Sequence, residues 1–271
     1  MTPIPVLLST ASVYPERTAA AFEMAAAAGY DGVEVMVWQD PVSQDSDALL
    51  ELAHKYGTPI LAVHAPCLIW TQRVWSWDPV VRLDRAAQTA AKVGADKVVV
   101  HPPFRWQREY GRNFAGQVHR LEDAHGVQVA VENMFPIRAG KRQWCSYYGH
   151  WDPSVLGGFR NYTLDISHAA VAKADIFDIL DRMGEALSHL HLGDGTGHPR
   201  DEHLVPGRGN QPCSEVLQAL VERGFAGSVA LEISTRSVRG QQQREADVVE
   251  SLQFARTHLA AAATSPSPAS P

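Results

Sequence analysis

The chain has 271 residues, with 30 Asp+Glu against 24 Lys+Arg (formal net charge −6), 12 His and 7 Trp. A composition of 45% hydrophobic and 20% charged residues excludes wholesale disorder. The acidic balance argues against a protein devoted to neutralising nucleic-acid phosphates, and no apolar run approaches the roughly 18 residues of a membrane span. Three widely spaced cysteines, Cys67, Cys145 and Cys213, fit a reducing cytoplasm rather than a disulfide framework. The N-terminus has neither the basic nor the apolar region of a secretory leader, so Ile4 to Leu8 reads as a strand.

Short β-branched runs alternate with longer Ala- and Leu-rich stretches of helical period. Eight strands are expected: Ile4–Ser9, Gly32–Val37, Ile60–His64, Lys97–His101, Val127–Glu132, Tyr162–Asp165, Leu187–Leu192 and Ser228–Ile233. The first helix is expected to open near Pro15 and to stop at Gly29, a Pro-in, Gly-out boundary. Further helices are expected near 45–56, 78–93, 109–125, 152–157, 168–185, 212–223 and 241–262. Runs such as Val98-Val99-Val100 are apolar without alternation, as in strands buried on both faces of a parallel sheet. Eight βα units in about 260 residues fit a single (β/α)8 TIM barrel with long loops at its C-terminal face. A doubly wound sheet is the rival, but no Gly-x-Gly-x-x-Gly follows the first strand, which also argues against a nucleotide cofactor. The barrel is expected to span residues 1–262, leaving a Ser/Pro/Ala-rich disordered tail at 263–271.

A barrel keeps its chemistry at the C-terminal ends of its strands. Those ends carry His64 (AVHAP), His101 (VVVHPP), Glu132 (VAVENM), Asp165 with His168 (TLDISHAA), His191 (HLHLGDG) and Glu232 (VALEIS). Asp201 and His203 join them from the loop PRDEHLVPGRGN. Taken singly, each histidine is more commonly a hydrogen-bonded structural residue, and each carboxylate a helix cap. Recurring about once per βα repeat, they converge on one axial pocket. Four uncompensated carboxylates there would repel, and a divalent cation resolves the repulsion most simply. Mixed His/Asp/Glu ligation suits Zn²⁺ or Mn²⁺.

The segments HAP, VVVHP, ENM, LDISHA, HLGD, DEHLVPGRGN and LEI resemble those of the xylose isomerase-like TIM-barrel superfamily, over residues 4 to about 260. That superfamily includes sugar and sugar-phosphate isomerases and epimerases, and endonuclease IV. The resemblance to the epimerases implies one divalent metal held by Glu132, Asp165, His191 and Glu232. Resemblance to endonuclease IV adds His64, His101, His168, Asp201 and His203, and so up to three ions.

Two chemistries follow. An isomerase or epimerase would shuttle a proton between Glu132 and Glu232, which resemble the paired acid/base residues of the epimerases. A multinuclear site would instead hydrolyse a phosphoester. Where endonuclease IV has a tyrosine-bearing wedge loop, this chain reads HAPCLIW, and in place of a basic second loop it has Trp38-Gln39-Asp40. Both differences argue against duplex DNA and leave a small phosphoester as the hydrolytic substrate. A third reading is a non-catalytic, metal-dependent carbohydrate-binding protein, against which the retention of both Glu132 and Glu232 speaks.

All seven Trp fall in loops of the expected active face, either as loop anchors or as flat walls for a sugar. Trp38, Trp70 and Trp106, together with Glu34 at the second strand end, are candidate substrate contacts, Glu34 equally being a supporting residue or helix cap. Of the basic loop residues, Arg208 and Arg236 are the choices for an anionic group. The expected ligand is a small anionic polyol or sugar, with no membrane partner; a homo-oligomer is compatible with the sequence.

Overall fold

The computed structural model describes residues 3–139, 142–238 and 240–264. Five strands come first: β1 (Val6–Ser9), β2 (Gly32–Met36), β3 (Ile60–His64), β4 (Lys97–Val100) and β5 (Gln128–Glu132). A short antiparallel hairpin, β6 (Ile137–Ala139) and β7 (Arg142–Trp144), interrupts them. Three more follow: β8 (Asn161–Asp165), β9 (Leu187–Leu192) and β10 (Ser228–Leu231). Apart from the hairpin, all are parallel and close into one eight-stranded barrel, β10 pairing back with β1. The (β/α)8 barrel expected from the alternation is the observed architecture.

Helices α1 (Thr18–Ala28), α2 (Ser46–Tyr56), α3 (Pro79–Val93) and α4 (Arg108–His125) follow the first four strands. Helix α1 stops at Gly29, whose φ of +86° is open to glycine at no steric cost. Asp45 and Asp78 accept backbone N–H bonds at the starts of α2 and α3. The second half is less regular. The expected helix at 152–157 is only a 3-10 turn, Pro153–Val155, and β5 is followed instead by the hairpin, which was not foreseen. The expected helix at 168–185 is two helices, α5 (Ile166–Ala172) and α6 (Ile176–Met183). Lys173, at φ +55°, ends the first, and the Asp175 side chain caps the second. Helices α7 (Cys213–Glu222) and α8 (Gln241–Thr264) complete the ring. Residues 263 and 264 continue α8, and the rest of the expected tail lies outside the described residues.

The main core lies between strands and helices, where outward-facing side chains such as Val98, Val100, Leu164 and Leu190 meet Phe22, Leu49, Leu83, Leu121 and Ile179. Inside the barrel Leu7, Ala62 and Ala230 form a small apolar cluster. Because successive side chains on a strand face opposite ways, the inward series on β9 is His189 then His191, and on β5 Ala130 then Glu132. On β5 an apolar interior therefore gives way to a polar rim within two residues, whereas β9 is polar at both levels. No helix among the described residues is long and apolar enough to cross a membrane, and Cys67, Cys145 and Cys213 are free thiols.

The long loop after β9 is held by one carboxylate. Asp194, 1% exposed, accepts from the backbone N–H groups of Gly195, Gly207, Gly209 and Gln211 at 2.8–3.0 Å. Gly209 is required there, since a Cβ would lie 2.3 Å from Asp194 Oδ1. Asp194→Ala should lower the unfolding free energy by about 2–4 kcal/mol, the order expected when a buried carboxylate serving several donors is removed. Urea denaturation monitored by circular dichroism measures it.

Candidate metal centre and active site

Strand ends bring Glu132, Asp165, His191 and Glu232 together, each offering a ligand atom within 4.8 Å of the others. His191 is the hub. Its Nδ1 lies 3.0 Å from Glu132 Oε1, 2.9 Å from Glu232 Oε2 and 3.5 Å from Asp165 Oδ2. Backbone register contributes directly, for Asp165 on β8 is paired with His191 on β9. Asn133 clamps Asp165 from the next strand: its Oδ1 accepts from the Asp165 N–H at 2.7 Å, and its Nδ2 donates to the Asp165 carbonyl. Asp165 Oδ1 caps α5 at the His168 N–H, while Oδ2 is buried without a hydrogen-bond partner.

Two flanking triads share this centre. On one side His64 Nε2 and His101 Nε2 lie 3.3 and 3.1 Å from Glu132 Oε2, and His64 Nδ1 donates to the Ala65 carbonyl. On the other side Asp201 Oδ2 sits between His168 Nε2 at 3.1 Å and His203 Nε2 at 2.8 Å, with Ser167 Oγ donating to Asp201 Oδ1. His203 holds φ at +43°, a left-handed conformation that is strained for a non-glycine residue. Two bonds fix it there, one from its N–H to Ser167 Oγ and one from Nδ1 to the Glu232 carbonyl. All nine side chains expected from the sequence to be ligands thus lie near one another.

The donor set fits a divalent cation: three carboxylates and an imidazole converge, and Asp165 Oδ2, fully buried without a hydrogen-bond partner, lies among them 3.5 Å from His191 Nδ1. Without a cation, protons balance the charge. Burial alone would hold His191 and His168 neutral. For His191 the charges of Glu34, Glu132 and Glu232 override burial, and for His168 those of Asp165 and Asp201 do, so both titrate well above the usual imidazole range. Asp201 likewise overcomes burial at His203 and raises it to about 10. At His101 burial prevails and the ring is held neutral.

A cavity of about 730 Å³ opens over this cluster, lined by Tyr14, Trp38, Trp70, Asp201, His203, Glu232 and Arg236 among others. The Trp38 ring meets the Tyr14 ring edge-on at 5.6 Å, and the Arg236 guanidinium lies over the same tyrosine. Trp38, Trp70 and Arg236 therefore stand where a substrate wall was expected. Three other candidates do not. The Arg208 side chain runs outward to Asp247 and Glu250 of α8, where two carboxylates outbid the pocket. Trp106 is outside this cavity, 58% exposed and stacked on Phe104 at 4.3 Å. Glu34 is fully buried beneath the cluster, bonded to His189 and His191, and forms no part of the cavity wall. Burial opposes its charge, but His191 and His189 outweigh that and hold the carboxyl below its ordinary range.

His189 was missed, although its spacing of two from His191 puts it on the same inward face. Asn133 and Asp194 were also missed; each acts on backbone groups of distant residues, for which the sequence carries no local signal.

Cation uptake at neutral pH by the Glu132, Asp165, His191 and Glu232 cluster should release protons, since His191, whose carboxylate neighbours hold it protonated well above the usual imidazole range, must give up the Nδ1 proton to act as a ligand. Apparent affinity should rise with pH and level off only above the raised imidazole range. Calorimetry with Mn²⁺ or Zn²⁺ in buffers of different ionisation enthalpy counts the protons; a count of zero contradicts this assignment.

Residues 22–258 match the family described as xylose isomerase-like TIM barrel. An uncharacterised protein of Mycobacterium tuberculosis is 53% identical over 275 residues, spanning 94% of this chain and 98% of that protein. A fructoselysine 3-epimerase of Escherichia coli is 32% identical over 72 residues, 27% of this chain and 26% of that protein. Among solved structures, a D-tagatose 3-epimerase-like protein superposes with a TM-score of 0.73 at 22% identity, covering 96% of this chain and 98% of its own. The eight-stranded barrel, its polar rim and the match across residues 22–258 agree: the chain belongs to the xylose isomerase-like TIM-barrel family.

Proposed function

We propose that this protein is a divalent-metal-dependent isomerase or epimerase of a small sugar or sugar phosphate. The observation that carries the reading is the Glu132–Asp165–His191–Glu232 cluster, which meets an aromatic-walled cavity through Glu232. The similarity to a fructoselysine 3-epimerase and to a D-tagatose 3-epimerase-like structure supports it. Glu132, Asp165, His191 and Glu232 would hold the cation, Zn²⁺ or Mn²⁺, which polarises a substrate carbonyl and hydroxyl and acidifies the C–H between them.

Proton transfer falls to the two glutamates. Glu232 turns Oε2 to His191, lines the cavity and is itself partly open, which suits a group that takes a proton from bound substrate. Glu132 is enclosed, with His64 and His101 beside its Oε2, so a proton arriving there has neighbouring imidazoles to exchange with. Approach from two glutamates permits removal on one face of a carbon and return on the other. Trp38 and Trp70 give the sugar flat surfaces, and Arg236 offers a cationic fork for an anionic substituent.

A second reading, hydrolysis of a small phosphoester, is favoured by one observation: two further groups able to hold a metal, His64–Glu132–His191 and Asp165–His168–His203, adjoin the first, with His101 beside Glu132 and Asp201 between His168 and His203. Release of phosphate from small phosphoesters, abolished by His101→Ala, would support it over the first.

Incubation of the Mn²⁺-loaded protein with ketoses and their phosphates in deuterated water should give an isomer or epimer labelled at the reacting carbon. Glu232→Gln should lower that turnover by roughly 10²–10⁴-fold, the usual contribution of a general base, with the barrel's circular dichroism unchanged. Arg236→Ala should raise KM for a phosphorylated substrate by roughly tenfold while changing that for its unphosphorylated counterpart much less. Equal effects on both would remove Arg236 from anion recognition.

A further inference from the structure

Directly below the proposed metal ligands lies a second polar layer that the proposed chemistry does not use. His189 precedes His191 by two residues on β9 and faces the same interior. Glu34 reaches both from β2, across the barrel, and all three side chains are 0% exposed. Its Oε2 lies 2.8 Å from His189 Nε2 and 3.1 Å from His191 Nε2. Ser228, paired in register with His189, sits with Oγ 2.8 Å from His189 Nδ1.

Only one proton arrangement satisfies these contacts with both rings neutral. A carboxylate oxygen can only accept, so His189 and His191 each carry their proton on Nε2 and donate it to Glu34. His189 Nδ1 is then an acceptor and takes the Ser228 O–H. His191 Nδ1 is left with a free lone pair, and this is the atom faced by Glu132, Glu232 and Asp165. The alternative role, packing alone, fits poorly. The neighbouring inward positions on β1, β3 and β10 are the apolar Leu7, Ala62 and Ala230, and an apolar residue at position 34 would fill the barrel without burying a charge.

We propose that Glu34, braced by His189, is a positioning residue that fixes the tautomer and ring orientation of His191 and raises its basicity as a metal ligand. The inference rests on the metal reading made above. Outer carboxylates on ligating histidines typically contribute 10- to 100-fold in metal affinity. Glu34→Gln keeps the shape and can keep an acceptor oxygen in place, so it removes mainly the charge.

The test is calorimetric titration of the metal-stripped protein with Mn²⁺, together with the ligand-field spectrum of the Co²⁺ form. Wild type should bind, and Glu34→Gln should bind about 10- to 100-fold more weakly with a shifted Co²⁺ spectrum and an unchanged number of ions. Should Glu34→Gln fail to fold, His189→Leu and His189→Gln provide the same reading. The leucine should weaken Mn²⁺ binding, and the glutamine, which can still donate to Glu34, should restore most of it. Equal affinity in wild type and Glu34→Gln, or in wild type and His189→Leu, overturns the positioning role alone. Loss of one whole equivalent of metal on Glu34→Gln also overturns it, by making Glu34 a ligand. A wild-type chain that takes up no divalent ion overturns the metal reading itself and this inference with it.

Discussion

Three carboxylate oxygens lie within 3.5 Å of a single imidazole nitrogen, His191 Nδ1, in the buried interior of the barrel. Bringing Glu132, Asp165 and Glu232 together in such a place is costly unless positive charge joins them. Much of the surrounding structure reads as compensation for that cost. His64 and His101 approach Glu132, His168 and His203 bracket Asp201, and Glu34 below is matched by two N–H donors. Protons can supply the balancing charge, and so can a cation; the orphaned Asp165 oxygen favours the cation.

The same constraint explains the investment in loop geometry. Asp201 and His203 come from a loop, and a loop holds a ligand only when its own backbone is fixed. Asp194 supplies that fixity by gathering four amides around one carboxylate, and Gly209 permits the approach. Ser167 then ties the loop to α5, bonding both Asp201 and the His203 backbone. His203 reaches the cluster with a strained φ, and the Glu232 carbonyl accepts from its Nδ1 there.

Much of this was legible in the sequence because a parallel barrel is periodic. Strand parity and the strand-end rule suffice to bring His64, His101, Glu132, Asp165, His191 and Glu232 to one rim, and the structure does bring them together. Where periodicity ends, legibility ends. The direction of Arg208 depends on acids of α8 some forty residues later, which no local pattern couples to it. Trp106 leaves the cavity because Phe104, two residues before it, offers a ring to stack on. The 3-10 turn at Pro153–Val155 stands where a helix was expected, and the break at Lys173 divides another in two, since tertiary demands outweigh weak helical propensity in short segments. His189 is the opposite case. Its parity was readable, but a single polar residue one layer below the rim carries meaning only once Glu34 and Ser228 are seen to meet it.

The most direct measurement is elemental analysis joined to anomalous diffraction on protein expressed with Mn²⁺ and Zn²⁺ supplied. A divalent ion bound by Glu132, Asp165, His191 and Glu232 is the expected result, with any additional ion falling on the flanking histidine triads. Metal-replete protein with no divalent ion at those four side chains would contradict the metal-centred reading of this barrel.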